Sequence, residues 1–236
     1  VAKALALETS GRIGSIALAE DGVAVAVERF DYGLRNAAKI LPLIDELCRS
    51  RHWTPTELGE LYISIGPGSF TGLRIGVTLV KTLAFATGAT VIPVQSVDVL
   101  AENAPAAARE LVIVLDAKRG QIFTSRLIRS DNGWQQAEPP HLDRLIDMLA
   151  RAGRPVHLLG EGIPFHRDAI GESAGVIITD VETWTGRAET VSRLGHQLAL
   201  RGQHVDPVTL VPLYIRLPEA VEKLDGSVSG ACAAPR

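Results

Sequence analysis

The chain has 236 residues, 46% of them apolar and 22% charged, with a formal net charge of −3. That balance is ordinary for a folded globular chain and supplies no basic field that would draw it to nucleic acid. Its two cysteines, Cys48 and Cys232, make neither a disulfide framework nor a metal cluster, and a reducing, cytoplasmic setting fits them best.

Residues 2–9 read as a strand, with Leu5 and Leu7 on one face. Ser10, Gly11 and Arg12 make a tight turn into a second strand at 13–19. Glu20, Asp21 and Gly22 give a hairpin signal before a third strand at 23–29. Asn36 is placed to cap a helix over 36–50, whose stripe is Ile40, Leu41, Ile44, Leu47 and Cys48, widened by Leu43; Pro42 distorts its start. A short helical turn at 54–58 precedes a buried strand at 61–65. That strand runs into Gly66, Pro67, Gly68, Ser69, Phe70, Thr71 and Gly72, and then into a helix over 72–87 stopped by Gly88. A strand at 91–94 follows, then a short helix capped by Ser96 and ending near Asn103.

Residues 104–109 form an alanine-rich junction, the best boundary in the chain. Beyond it the opening pattern returns: a strand at 111–115, a charged turn at 116–120, a returning strand at 121–128 and a hairpin turn at 131–133. A helix over 142–150, a strand at 156–159 ended by Gly160, Glu161 and Gly162, a helix over 188–201 and a last strand at 211–216 complete the reading. The residues from 219 onward are polar, small and glycine-rich, the composition of a disordered tail. Two halves that each open on antiparallel strands and continue as alternating strand and helix predict an α/β fold of duplicated subdomains, 1–105 and 106–218, with a cleft between them.

The first eight residues lack a basic leader and apolar core, and no stretch reaches the roughly 20 apolar residues of a membrane span. None of His52, His141, His157, His166, His196 and His204 makes a metal-ligand pair with another, so no metal site is expected. The run 66–72 lacks the lysine of a phosphate-binding P-loop, and Ser69 has no partner for a nucleophile role. The run therefore reads either as a sharp reversal that lets backbones pack closely or as an anion cradle at a helix start, with Arg74 on the first turn. Thr9, Ser10 and Arg12, with Lys118 and Arg119 on the matching turn of the second half, are the candidate phosphate-binding residues. The helix over 72–87 is apolar nearly all round. A sheet covers one side; Leu73, Gly76, Val77, Val80 and Phe85 must meet another helix. That helix is either the stripe Ile40, Leu41, Ile44 and Leu47 of the same chain or a second subunit.

Leu7-Glu8-Thr9-Ser10, the run 40–47, the run 66–76, Asp116-Ala117-Lys118-Arg119-Gly120 and the Pro212-x-Tyr214-x-Arg216 ending together resemble the bacterial TsaB (YeaZ) family over about 2–218. The resemblance implies a two-lobed actin-like fold of the sugar-kinase and Hsp70 nucleotide-binding superfamily. It also implies a scaffold role in threonylcarbamoylation of adenosine 37 in tRNAs that read codons beginning with A. The partners it implies are a catalytic TsaD-like paralogue and a TsaE-like ATPase, with tRNA reached through the complex. ATP and magnesium are then used by the complex, and the isolated chain forms a homodimer through its first subdomain.

Three departures bear on chemistry. Glu8 stands where the family commonly has aspartate, and the extra methylene misplaces a carboxylate meant for a metal-bound phosphate. Asn36 stands where the family often has histidine, and it cannot act as a base at neutral pH. The metal-binding histidine pair of the TsaD-like paralogues is missing. These favour a non-catalytic subunit that requires no cofactor of its own. The alternative is a nucleotide-dependent acyl or sugar phosphotransferase of the same superfamily; a peptidase-like protein is a weaker third reading.

Overall fold

The computed structural model describes residues 1–31, 37–171 and 173–216. Its first unit opens on Lys3–Glu8 (β1), Ile13–Glu20 (β2) and Val23–Asp31 (β3) and continues through Ala37–Ser50 (α1), Glu60–Ser64 (β4), Phe70–Thr87 (α2), Thr90–Val94 (β5) and Ser96–Ala101 (α3). The sheet order is β3-β2-β1-β4-β5, antiparallel across the opening strands and parallel from β1 onward. The second unit repeats the plan with Glu110–Asp116 (β6), Ile122–Ser130 (β7), Gly133–Asp143 (β8), Leu145–Arg151 (α4), Val156–Leu159 (β9), Arg167–Ile170 (α5) and Val176–Ile178 (β10). Its order, β8-β7-β6-β9-β10, is that of the first sheet with each strand replaced by its counterpart. The recurrence of strand–turn–strand in the sequence is thus a recurrence of topology.

Alternation along the opening strands decides which helix covers which face. Leu5, Leu7, Ile16 and Leu18 point to the side of α1 and α2, in a core completed by Ile40, Ile44, Leu47, Val77 and Val80. Ala4, Ala6, Ala17 and Ala19 line the opposite face. Against those small side chains packs Ala188–Leu200 (α6), which follows the second sheet in the chain yet lies on the first. The approach is close: a Cβ on Gly195 of α6 would come 2.4 Å from the Tyr62 ring.

Several expectations change in detail. The helix expected over 142–150 begins only at Leu145, because β8 runs on to Asp143. Pro139 and Pro140 disguise that strand, and they are tolerated because β8 is an edge strand. The segment 211–216 is not a strand; a bond from Leu213 N to the Ile65 carbonyl, 2.8 Å, ties it to the sheet. Helix α2 starts at Phe70, with Ser69 as its N-cap. Gln95, not Ser96, precedes α3 as its cap; the Ser96 hydroxyl accepts from Gly66 N at 3.0 Å instead. Asn36 and the 219–236 tail lie outside the described residues.

Candidate functional site

A cleft of about 810 Å³ opens between the two sheets. On one side stand Ser10, Gly11 and Arg12 of the β1–β2 turn and Gly68, Ser69, Phe70 and Thr71 at the start of α2. On the other stand Asp116, Ala117 and Lys118 of the β6–β7 turn, with Glu161 and Phe165 from the loop after β9. The two hairpin turns of the duplicated halves therefore face each other across it.

The glycine run is a close-packing device. Added Cβ atoms would come 2.4 Å from the Ser10 carbonyl oxygen at Gly68, 2.1 Å from the Thr9 carbonyl oxygen at Gly72 and 2.4 Å from Thr9 Oγ1 at Gly76. The start of α2 lies directly on the end of β1. Two of its amides have protein acceptors: Ser69 N donates to the Ser10 carbonyl at 2.7 Å and Gly72 N to Ser69 Oγ at 3.3 Å. Gly66, at φ +111°, and the cis Gly66–Pro67 bond shape the approach. Ser96 N returns a bond to the Gly66 carbonyl at 2.9 Å. The approaches at Gly68, Gly72 and Gly76 leave no room for a side chain between the run and the end of β1.

Of the candidate phosphate-binding residues, Ser10, Arg12 and Lys118 line the cleft; Thr9 is buried beneath it, and Arg119 is not among the lining side chains. Ser10 gives both its amide and its hydroxyl to Glu8 Oε1, each at 2.6 Å. Glu8 is 0% exposed, and a Cβ on Gly186 would lie 2.8 Å from its other oxygen. Burial pushes the Glu8 carboxyl up, against the bonds from Ser10.

Arg12 N donates to both oxygens of Glu161, each at 3.2 Å, and its guanidinium lies over the Phe165 ring at 5.5 Å. Lys118 Nζ bonds Asp116 Oδ2 at 2.7 Å and sits 5.3 Å from the same ring. Burial drives the Asp116 carboxyl up, but the bonds from Lys118 and the nearby His166 outweigh it and hold it below its ordinary value. Burial raises Glu161, opposed by the Arg12 amide and charge. A phosphate chain on the β1–β2 turn would meet the Glu161 carboxylate where it needs a donor, so the residues present do not fit a bound nucleotide. Among the described residues, no group of three or more His, Cys, Asp or Glu side chains is placed to hold a metal ion.

The nine residues assigned to helix contacts divide sharply. Ile40, Ile44, Leu47, Leu73, Gly76, Val77 and Val80 are buried within the chain, most of them in the core under α1 and α2. Leu41 is 54% exposed and Phe85 is 95% exposed. Most of the apolar surface on α2 is therefore buried within the chain, in a core it shares with the sheet and with α1. Glu161 and Phe165 join the cleft without a sequence motif that marks them as site residues; the one signal is Glu161 set between two glycines directly after a buried strand.

Residues 35–171 match the family model described as TsaD: tRNA N6-adenosine threonylcarbamoyltransferase. Over 227 residues the chain is 31% identical to the tRNA threonylcarbamoyladenosine biosynthesis protein TsaB of Bacillus subtilis (strain 168), covering 93% of this chain and 96% of that one. The chain belongs to the TsaB/YeaZ family. The TsaB protein of Escherichia coli (strain K12) is 26% identical over 229 residues, covering 94% of this chain and 98% of its own. YeaZ from Pseudomonas aeruginosa superposes with a TM-score of 0.77 at 22% identity, over 91% of this chain and 100% of that one. The chain shares the fold of YeaZ, and its repeated sheet order makes that fold a duplicated α/β one.

Proposed function

We propose that this chain is a non-catalytic scaffold subunit for threonylcarbamoylation of adenosine 37 in tRNA. The observation that carries the reading is similarity to TsaB proteins along nearly the whole length of both chains. A TsaD-like transferase is the direct partner and a TsaE-like ATPase joins the pair. ATP and magnesium serve the complex, and tRNA meets it through the partner. The isolated chain pairs with itself through the same surface. Leu41 on α1 and Phe85 on α2 are more than half exposed, and they are the apolar side chains assigned to the contact with a second chain.

Coexpression with the cognate TsaD-like protein, followed by complex mass and tRNA modification assays, tests the reading. A stable complex with activity that depends on both chains is expected. Absence of a complex, or full modification by the partner alone, overturns it.

A further inference from the structure

Glu161 reaches across the cleft from a loop that has little freedom to put it elsewhere. Gly160, at φ +139°, is so close to β6 that a Cβ would lie 2.3 Å from the Val114 carbonyl oxygen. On the other side a Cβ on Gly162 would lie 2.6 Å from Asp116 N, and Gly162 N donates to the Val114 carbonyl at 2.9 Å. Both neighbours of Glu161 are thus fastened to the end of β6. At the far end the carboxylate lies against Gly11, where a Cβ would sit in ordinary contact, 3.4 Å from Glu161 Oε1. The Arg12 amide bonds both carboxylate oxygens and the Arg12 guanidinium rests on Phe165, four residues along the same loop. The loop after β9 therefore grips the β1–β2 turn with an anion and a ring.

We propose that Glu161 is an internal occupant of the anion position at the β1–β2 turn, clasping the two halves together and closing that turn to polyphosphate. A turn amide beside a guanidinium is a donor set for an anion, and here the chain supplies the anion itself. The clasp does not depend on the tRNA reading, because it concerns the isolated chain.

The test is calorimetric titration of inorganic tripolyphosphate into the wild-type chain, Glu161→Ala and Glu161→Gln. Removing the carboxylate is expected to tighten binding by about tenfold or more, equivalent to about 1.4 kcal/mol. Glu161→Gln, which keeps the shape and removes the charge, stands in if Glu161→Ala does not fold. The double variant Arg12→Ala/Glu161→Ala is expected to lose the gain. Hydrogen exchange at the Arg12 amide is expected to quicken in Glu161→Ala. Equal affinity in wild type and both Glu161 variants, whether tight or undetectable, overturns the proposal. So does a gain that survives loss of Arg12, or an Arg12 amide that exchanges no faster.

Discussion

Gly72 stands closer to its neighbour than any side chain would permit, because the Thr9 carbonyl oxygen is backbone and cannot swing away. Gly72→Ala must separate α2 from the end of β1, and overpacking of this kind costs about 1–3 kcal/mol. Gly59→Ala is the control: its Cβ would meet only the Lys3 carbonyl at 3.9 Å. Urea unfolding should show a lowered midpoint for Gly72→Ala and almost none of that loss for Gly59→Ala. At Glu8 the quantity to follow is pH. Burial raises its folded pKa above the ordinary 4.5, against the Ser10 bonds, and Glu161 adds a like charge. The sign follows from linkage: the protonated acid is favoured on folding, so its contribution is complete below about 4.5 and is lost as pH rises through the folded value. Glu8→Gln keeps an oxygen for the Ser10 donors and cannot ionise. Its stability relative to wild type should therefore rise as pH climbs from about 4.5 through the folded value, and level off beyond it, in paired unfolding curves. A pH-independent difference would show that the folded and unfolded pKa values of Glu8 coincide, so that burial does not raise it.

At the scale of elements, α1 and α2 show what a sequence reveals and what it leaves open. Their apolar spacing identifies two amphipathic helices and the strands beneath them. It does not say which apolar side chains the sheet consumes, because that depends on how the helices settle on Leu5, Leu7, Ile16 and Leu18. Val80 is fully buried and Phe85 is exposed five residues later on the same helix. Val80→Asp therefore buries an unpaired charge and is expected to abolish folding. Phe85→Asp and Leu41→Asp should stay within about 0.5 kcal/mol of wild-type stability while weakening self-association and capture of a TsaD-like partner. Sedimentation of the folded variants, alone and with the partner, checks this. Unchanged assembly would remove the exposed ends of these helices from the contact. The same limit explains β8, whose edge position excuses two prolines that a sequence pattern counts against a strand. It also explains the cleft: the turns at 10–12 and 116–120 are visible as local signals. The reach of Glu161 to Arg12 is not, since it joins residues far apart in the chain through the relative placement of two sheets.

Specific hydrogen bonds, beside the apolar contact of α3 with the second sheet, join the two halves. Gln136 on β8 donates to Gln95 at 3.0 Å and to Asp98 at 2.7 Å, on and before α3. Asn103 donates to the Thr183 and Thr185 carbonyls on the way to α6. The segment after α6 then returns as a strap. Lys81 of α2 donates to the Val208 carbonyl at 2.9 Å, and Arg74 Nε to the Tyr214 hydroxyl at 3.1 Å, with Phe70 beside that ring. The strap ends with the Arg216 guanidinium on the Ala117 carbonyl and the Gln121 side chain, at the β6–β7 turn. Arg216 thus links the strap lying over the first half to a turn of the second, opposite the Glu161 clasp. Hydrogen bonds from a charged group contribute about 1.5–3 kcal/mol, so Arg216→Ala should lower stability by that order. Its distinguishing effect is local. The Ala117 and Gln121 amides, which bond the Gln121 and Lys118 carbonyls at 3.0 Å, should exchange faster. Those of β1 and β4 deep in the first sheet should be less affected, because their bonds open only on wider unfolding. Exchange that quickens equally at both places would mean that Arg216 supports the whole fold and not the tie between its halves.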